Sequence, residues 1–254
     1  MTDFSYQLYS SRNFGPIENV LARVAAAGYT QVEGYGALFT NAADAAKLAE
    51  LLKANGLTMP SAHIGLQMLE ENPDEVVAIA KALDLKAVYV PHLSADERPS
   101  DPAGWRAIGA RTQAALAPLA AIGLDIGWHN HDFEIKDAGD GESVLNAILE
   151  GGPDLKVELD LAWVLVGGED PITYINKYAD RLSSVHIKDL APAGQCEDED
   201  GWADVGHGTM DWPAIKQALD ATSNQFLTVE HDNPNDDARF ANRSIETIKQ
   251  VWTS

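Results

Sequence analysis

Residues 155–189 read LKVELDLAWVLVGGEDPITYINKYADRLSSVHIKD, and this stretch contains one complete structural unit. It contains two short runs rich in apolar and β-branched residues, 155–160 and 182–189, which are typical of buried strands. Between them, Asp170 precedes Pro171, a pair that marks the start of a helix because proline gives up no needed N–H in the first turn. The stretch therefore predicts a strand, a helix and a second strand, the unit from which parallel sheets are built.

The same alternation continues along the whole chain. Further strands are predicted at 4–9, 31–35, 58–65, 87–93, 125–131 and 225–232, and helices at about 16–27, 41–55, 73–83, 102–122 and 143–149 and near 171, 213 and 238. Eight strand–helix units favour an α/β fold with a single domain over residues 1–254, a (β/α)8 TIM barrel, because a parallel sheet buried on both faces closes through right-handed connections. The first strand is not followed by a glycine-rich phosphate loop, which disfavours an open dinucleotide-binding sheet.

The composition fits one large domain and excludes several classes of protein. The chain has 254 residues, 45% of them apolar, and a net charge of −21. Only 18 residues are Lys or Arg, so nucleic acids are not expected as partners. Apolar runs stay shorter than the roughly 20 residues that span a bilayer, and the first residues lack the pattern of a signal peptide. We therefore expect a cytoplasmic protein without a membrane partner. The single Cys196 lies in an acidic stretch and is assigned no chemistry.

Ionisable residues cluster at the predicted carboxyl ends of four consecutive strands. The clusters are His129-Asn130-His131, Glu158-Leu159-Asp160, His186-Ile187-Lys188 and Glu230-His231-Asp232. Side chains alternate along a strand, so the first and third residues of each cluster share one face. The carboxyl ends of barrel strands converge on one mouth, where active sites lie. We therefore expect these side chains to point into a common space.

A divalent metal ion would explain such a cluster. Several buried charges would each cost several kcal/mol if unpaired, whereas one cation binds carboxylates and imidazoles together. Two carboxylates with one or two imidazoles form a mixed oxygen and nitrogen shell that suits Mn²⁺, Mg²⁺, Co²⁺ or Zn²⁺. Because no thiolate takes part, a closed structural zinc site is disfavoured, and we expect a site that is open to substrate.

The sequence resembles the xylose isomerase-like barrels known as sugar phosphate isomerases and epimerases. The resemblance covers nearly the whole chain, and its most specific segments are WHNHDFEI (128–135), VELDLAW (157–163), GGEDPITYINKYADRLSSVHIKDL (167–190), VGHGTMDW (205–212) and LTVEHD (227–232). It implies a metal, Mn²⁺ first, bound on strands five to eight, where Asp160, His186 and Glu230 match the family ligands. The strand-five position, a Glu in the family, holds His129, as in a branch whose strand five resembles HNHDFE.

This departure bears on the reaction. The family isomerases and epimerases use the strand-five and strand-eight glutamates as bases, so the resemblance implies that Glu230 is the base here and that its usual counterpart is missing. Glu158 is the second catalytic candidate, and three roles fit it: it can orient His129, act as a ligand, or serve as a second base. The asymmetry also favours a different reaction, elimination of water or an alcohol β to a ketone.

Six further residues are predicted to contact the substrate, with a structural role in the core as the alternative for each. They are Glu33, His63, His131, Trp163, Lys188 and His207. Trp163 can stack on the C–H face of a sugar, and Lys188 can hold an oxyanion or phosphate as a point charge. His207 stands in the long connection 190–211 after strand seven, which we expect to fold over the active site.

Four functions remain open. The first is a metal-dependent sugar isomerase or epimerase that works through an enediolate, and the second is a lyase or dehydratase acting on a 3-keto sugar, 3-keto glycoside or inosose. The third is phosphodiester cleavage, which is known in apurinic-site endonucleases with this barrel but is disfavoured by the negative net charge of this chain. The fourth is a non-catalytic sugar-binding protein. The expected partner is a small sugar or keto sugar, and a homo-oligomer is compatible with the sequence.

Overall fold

The computed structural model describes residues 3–139 and 141–253. Parallel strands close into a barrel: β1 (Ser5–Gln7), β2 (Gln31–Tyr35), β3 (Thr58–His63), β4 (Ala87–Val90), β5 (Asp125–His129), β6 (Lys156–Asp160), β7 (Leu182–Ile187) and β8 (Phe226–Val229). Their order around the barrel follows the chain, and β8 pairs with β1. The predicted single-domain (β/α)8 barrel is confirmed.

Helices connect successive strands. They are α1 (Ile17–Ala27), α2 (Ala42–Ala54), α3 (Leu66–Glu71), α4 (Pro73–Leu83), α5 (Pro102–Ala120), α6 (Val144–Gly151), α7 (Leu161–Val166), α8 (Pro171–Lys177), α9 (Trp212–Leu219) and α10 (Asp237–Thr253). Short 3-10 turns lie at Leu8–Ser11, Gly36–Leu38, Ala95–Glu97, Phe133–Ile135 and Glu197–Glu199. Within the described residues, every helix is too short or too polar to cross a membrane.

Several helix boundaries lie at capping residues, of which Asp170 is indicated by the sequence. Asp170 accepts a hydrogen bond from the N–H of Thr173 at the start of α8, and Asn41 accepts one from the N–H of Asp44 at the start of α2. Gly28 ends α1 with a left-handed φ of 99°, as an αL cap requires. The two short helices α3 and α7 are additional to the prediction, because six residues carry too little periodicity to be recognised.

The barrel wall has an apolar outer face and a polar interior. Apolar strand residues pack against the helices, among them Val32, Ala62, Val88, Val157, Val185 and Val229. The alternate positions carry polar residues that are fully buried, among them Gln7, Glu33, Ser61, Glu158, Ser184 and Thr228. Glu33 links Gln7 and Ser61 by hydrogen bonds beneath the carboxyl-terminal mouth, whereas the hydroxyls of Ser184 and Thr228 have no hydrogen-bond partner among the described residues.

The connection between β7 and α9 is a folded segment. Asp189–Leu190 and Trp202–Ala203 form a small antiparallel sheet. The carboxylate of Asp189 accepts hydrogen bonds from the backbone N–H groups of Gly206 and Met210, at 2.8 and 3.1 Å. A buried carboxylate that binds several N–H groups holds the segment in one conformation.

Candidate metal centre and active site

A cavity of about 550 Å³ opens at the carboxyl-terminal mouth of the barrel. It is lined by Tyr9, Arg12, Tyr35, Gly36, His63, Gly65, Pro91, His92, His129, His131, Asp200, Glu230 and Asp232. These residues end or follow β1 to β5 and β8, or belong to the connection 190–211. The size of the cavity is within the range of small-molecule sites, and its place is that of barrel active sites.

The four side chains expected to bind metal lie together beside this cavity. His129, Asp160, His186 and Glu230 each offer a ligand atom, and these atoms are all within 4.8 Å of one another. Nδ1 of His186 lies 2.9 Å from Oε2 of Glu230 and 3.9 Å from Oδ2 of Asp160. All four residues are buried. The structure therefore brings the predicted ligands into one group.

Asp160 shows how well this group fits a cation. Its Oδ1 accepts the N–H of Trp163 at 2.9 Å, and its own N–H donates to Oδ1 of Asn130 at 3.0 Å, so the carboxylate is held in place. Its Oδ2 is buried and, among the described residues, accepts no hydrogen bond. An orphaned carboxylate oxygen in the interior is costly, and a divalent cation would satisfy it. The donor set suits Mn²⁺, Mg²⁺, Co²⁺ or Zn²⁺.

A second group lies on the other edge of the His186 ring. His63, His129, Glu158 and His186 also offer ligand atoms within 4.8 Å of one another. Oε2 of Glu158 accepts hydrogen bonds from His63 Nε2 and, at 3.1 Å, from His129 Nδ1, while its Oε1 is buried without a partner in the described chain. A carboxylate against an imidazole nitrogen is the usual arrangement for orienting a metal ligand, and it matches one of the three roles foreseen for Glu158.

Burial and charge shift the pKa values of the predicted ligands. Burial, together with the charge of His186, lowers the pKa of His129 to about 3, which keeps its imidazole in the neutral form that binds metal. Burial raises the pKa of Asp160 to about 6, although Lys188 and His186 act in the opposite direction. For Glu230, the charges of Lys188 and His186 outweigh burial and hold the pKa well below its usual value. Glu230 is therefore a carboxylate at neutral pH.

Lys188 lies in a different environment from the one expected. It is fully buried and does not line the cavity. Its Nζ is 2.6 Å from Oδ2 of Asp232, 3.4 Å from Oε2 of Glu230 and 3.6 Å from Oδ2 of Asp160. The expectation that Lys188 anchors a substrate oxyanion or phosphate does not fit this position, because three carboxylates already surround its charge. Lys188 instead stabilises the ionised carboxylates next to the candidate metal centre.

The sequence and the fold both resemble those of known proteins. The sequence profile of the xylose isomerase-like TIM barrel family matches residues 21–251. The chain belongs to this family. A comparison with proteins of curated function found no match.

Three solved structures illustrate the range of proteins with this fold. A sugar phosphate isomerase/epimerase from Parabacteroides distasonis has a TM-score of 0.80 and 19% identity, over 98% of this chain and 93% of that chain. The probable 3-DHS dehydratase AsbF from Bacillus anthracis gives 0.71 and 13%, over 98% and 99%. The 3-keto-D-glucoside 4-epimerase YcjR from E. coli gives 0.70 and 15%, over 100% of both chains. At these identities the likeness establishes the fold alone.

Three of the predicted substrate residues lie at or beside the cavity of this xylose isomerase-like barrel. His63 and His131 line it. Trp163 is half-buried behind that lining, and its ring packs 5.3 Å from His131 and 4.7 Å from Trp202, measured between ring centroids. His92 also lines the cavity.

Two other predicted substrate residues lie away from the cavity. Glu33 is fully buried in the barrel interior, with hydrogen bonds to both of its oxygens, so it does not reach a substrate hydroxyl. His207 is exposed, and its Nδ1 accepts a hydrogen bond of 2.7 Å from Arg243 on α10. Substrate contact through His207 gains no support from this geometry, because the connection turns its ring toward α10 rather than toward the barrel mouth.

The cavity also contains residues that the sequence did not single out. Tyr9, Arg12 and Tyr35 line its β1–β2 side, and Arg12 donates a hydrogen bond to the carbonyl oxygen of Asp232. Asp200 enters from the connection after β7. Tyr9 lies in the turn after β1, Arg12 follows that turn and Tyr35 ends β2, and the pattern of clusters at strands five to eight gave no signal for them. The sequence did indicate Asp232, because it shares one face of strand eight with Glu230.

Proposed function

We propose that this protein is a divalent-metal-dependent sugar isomerase or epimerase whose catalytic base is Glu230. One observation carries the proposal: of the two carboxylates in the group His129, Asp160, His186 and Glu230, only that of Glu230 lines the cavity. A base must reach the proton that it removes, and Glu230 is the ionised carboxylate with that access. We assign the metal-ligand role to all four residues, with Mn²⁺ as the first expectation.

The cation would supply one part of the chemistry. When bound, it polarises the substrate carbonyl and stabilises the negative charge that develops as an enediolate forms. The chain supplies the rest. Glu230 takes the proton on the carbon next to the carbonyl, Lys188 keeps Glu230 ionised, and Glu158 orients His129 from below. Glu158 does not line the cavity, so we expect Glu230 to remove and return the proton on the same face of the substrate. One base on one face suits aldose–ketose isomerisation better than epimerisation, which inverts a carbon centre.

The cavity favours a substrate without a phosphate group. Among the described lining residues, Arg12 is the only lysine or arginine, whereas Asp200, Glu230 and Asp232 are acidic. A dianionic phosphate would meet an excess of negative charge there. A neutral sugar or keto sugar can instead use the imidazoles and hydroxyls of the lining as hydrogen-bond partners. We assign Asp200 and Trp202 of the connection 190–211 to the wall of this active site.

A second candidate is a lyase or dehydratase acting on a 3-keto sugar, 3-keto glycoside or inosose. The observation that favours it is the asymmetry of the cavity, which presents one carboxylate of the metal group and three imidazoles that are not in that group, those of His63, His92 and His131. Elimination needs one base for the α-proton and one acid for the leaving group, and an imidazole can be that acid. Both reactions begin with the same proton removal by Glu230.

The test is a screen of aldoses, ketoses, inososes and 3-keto glycosides with Mn²⁺ in D2O, followed by mass spectrometry and NMR of the products. An isomerase conserves the mass and exchanges the α-proton, whereas a lyase releases water or an aglycone. Glu230→Gln should lower the rate by about 100- to 10,000-fold, the usual share of a general base. Glu18→Gln, which makes the same change at an exposed position of α1 away from the cavity, is the matched control. Equal loss in both variants would contradict the assignment of Glu230.

A further inference from the structure

Glu33 joins three strands of the barrel to the candidate metal centre. From β2, its Oε1 accepts hydrogen bonds from Nε2 of Gln7 on β1 at 2.8 Å and from Nε2 of His186 on β7 at 2.7 Å. Its Oε2 accepts a hydrogen bond from the hydroxyl of Ser61 on β3 at 2.5 Å. The carboxylate is therefore fixed from two sides and presents one oxygen to the imidazole of His186.

The two nitrogens of His186 face different partners. Nδ1 is hydrogen-bonded to Oε2 of Glu230 at 2.9 Å and lies 3.9 Å from Oδ2 of Asp160, while Nε2 is hydrogen-bonded to Oε1 of Glu33 at 2.7 Å. A bound cation, which Glu230 would also ligate, would replace the contact between Nδ1 and Glu230. A neutral imidazole carries one N–H and one lone pair, and a metal ligand must offer the lone pair. A carboxylate that accepts from Nε2 keeps the proton there and leaves the Nδ1 lone pair free.

We propose that Glu33 is a positioning residue of the metal centre: it holds His186 in its Nε2–H form with Nδ1 directed at the cation, and Gln7 and Ser61 hold Glu33. The inference rests on the metal centre of the proposed function. It assigns to Glu33 a task that needs no contact with substrate, which agrees with its complete burial.

Glu158 is the other carboxylate near the same nitrogen. Its Oε2 lies 3.3 Å from His186 Nε2, but that oxygen also accepts from His63 and His129. Oε1 of Glu33 is closer, at 2.7 Å, and within hydrogen-bond geometry. Each carboxylate therefore orients a different histidine: Glu158 orients His129, and Glu33 orients His186.

The experiment measures Zn²⁺ affinity and the state of the imidazole, without any substrate. Glu33→Gln keeps the size of the side chain but replaces the carboxylate by an amide that no longer fixes the Nε2 proton. We expect its dissociation constant for Zn²⁺ to rise about 10- to 100-fold, the usual effect of losing the partner of a metal-ligating histidine. Ser61→Ala should shift the constant in the same direction by a smaller factor, and it remains informative if Glu33→Gln does not fold.

The spectroscopic readout is ¹⁵N NMR of the histidines in the Zn²⁺-loaded protein. In the wild type, Nε2 of His186 should carry a slowly exchanging proton and Nδ1 should show the shift of a metal-bound nitrogen. In Glu33→Gln the Nε2 proton should exchange faster with solvent. Ser184→Ala, which removes another buried interior hydroxyl outside this set of hydrogen bonds, is the control and should change neither the affinity nor the spectrum.

Two results would overturn the inference in distinguishable ways. If Asp160→Asn loses Zn²⁺ while Glu33→Gln and Ser61→Ala bind it within twofold of the wild type, the metal centre stands and Glu33 has no positioning role. If the wild-type protein itself does not bind one Zn²⁺ per chain, the metal centre of the proposed function fails, and the inference fails with it.

Discussion

At the scale of single residues, Glu134 is a buried carboxyl group outside the proposed metal ligands. Its Oε1 accepts from Nε1 of Trp128 at 2.9 Å and its Oε2 from the N–H of His131 at 2.8 Å. These two bonds hold the segment that carries His131 beside the cavity. Burial nevertheless dominates and raises the pKa of Glu134 to about 8. The group therefore binds a proton more tightly in the folded chain than in the unfolded one.

This pKa predicts a pH dependence of stability. The pKa of Glu134 is higher in the folded state than in the unfolded state. Its contribution to the free energy of unfolding is therefore complete below the unfolded pKa of about 4.3 and is lost as pH rises through about 8. At about 1.4 kcal/mol per pKa unit, the loss is at most about 5 kcal/mol. Urea unfolding of the metal-free protein between pH 5 and 9 should show the wild type losing stability relative to Glu134→Gln. A parallel pH profile for the two proteins would refute this, and the exposed Glu18→Gln is the control.

The two glutamates of the site should respond differently to the same substitution. Glu230→Gln removes the proposed base, so α-proton exchange and product formation should fall together by several orders of magnitude while metal is retained. Glu158→Gln weakens only the orientation of His129, and about 10- to 100-fold is the expected loss. Metal content, exchange and product formation are measured for both variants. Should Glu158→Gln stop exchange while Glu230→Gln leaves it intact, the base is Glu158 and the roles are reversed.

At the scale of elements, an ion-pair cluster joins the connection 190–211 to the last helix. The buried carboxylate of Asp204 accepts from Arg243 at 2.8 Å and from Arg239 at 3.1 Å, which ties the connection to α10. Both arginines are partly exposed, so solvent screening reduces the contribution of these pairs. We estimate about 1–2 kcal/mol for the cluster, between the values of surface and buried pairs.

Asp204→Asn should therefore loosen the connection without unfolding the barrel. A loss of about 1–2 kcal/mol in local stability raises the population of opened forms about 5- to 30-fold. Limited proteolysis should cut within 190–211 correspondingly faster than in the wild type. Asp220→Asn at the end of α9, where the ion pair with Lys216 is exposed, is the control and should be cut at the wild-type rate. Equal cleavage of all three proteins would show that the cluster does not hold the connection.

The sequence predicts elements better than contacts between distant elements. Strand and helix positions followed from periodicity and from caps such as Asp170, and they agree closely with the structure. The strand-end clusters also predicted that side chains such as His129, Asp160, His186 and Glu230 meet at one mouth, because strand ends in a barrel must converge, and the structure brings these four together. Neither periodicity nor the strand-end clusters predicted the ion-pair partners of Lys188 or the hydrogen bond between Glu33 and His186. These contacts depend on which side chains meet across the barrel interior, over 153 residues of sequence in the second case.

At the scale of the whole molecule, the charge of −21 disfavours binding to nucleic acids. Nucleic-acid-binding proteins win much of their affinity by neutralising phosphates with lysine and arginine, and the cavity here has only Arg12 of these among its described lining residues. We therefore predict no cleavage of duplex DNA containing an abasic site in the presence of Mn²⁺ or Zn²⁺, and no binding at low salt. Gel-based cleavage and fluorescence anisotropy check this. Metal-dependent cleavage that Asp160→Ala abolishes would contradict the proposed function.

The proposed chemistry requires a metal centre at the mouth of the barrel, and the metal content of purified variants after dialysis against Mn²⁺ tests for it. We predict one Mn²⁺ per chain in the wild type and in the control Asp200→Asn, and none tightly bound in Asp160→Ala or His186→Ala. His63→Ala should retain the ion, because His63 belongs only to the second group of potential ligands. One tight Mn²⁺ per chain in both Asp160→Ala and His186→Ala would contradict the account.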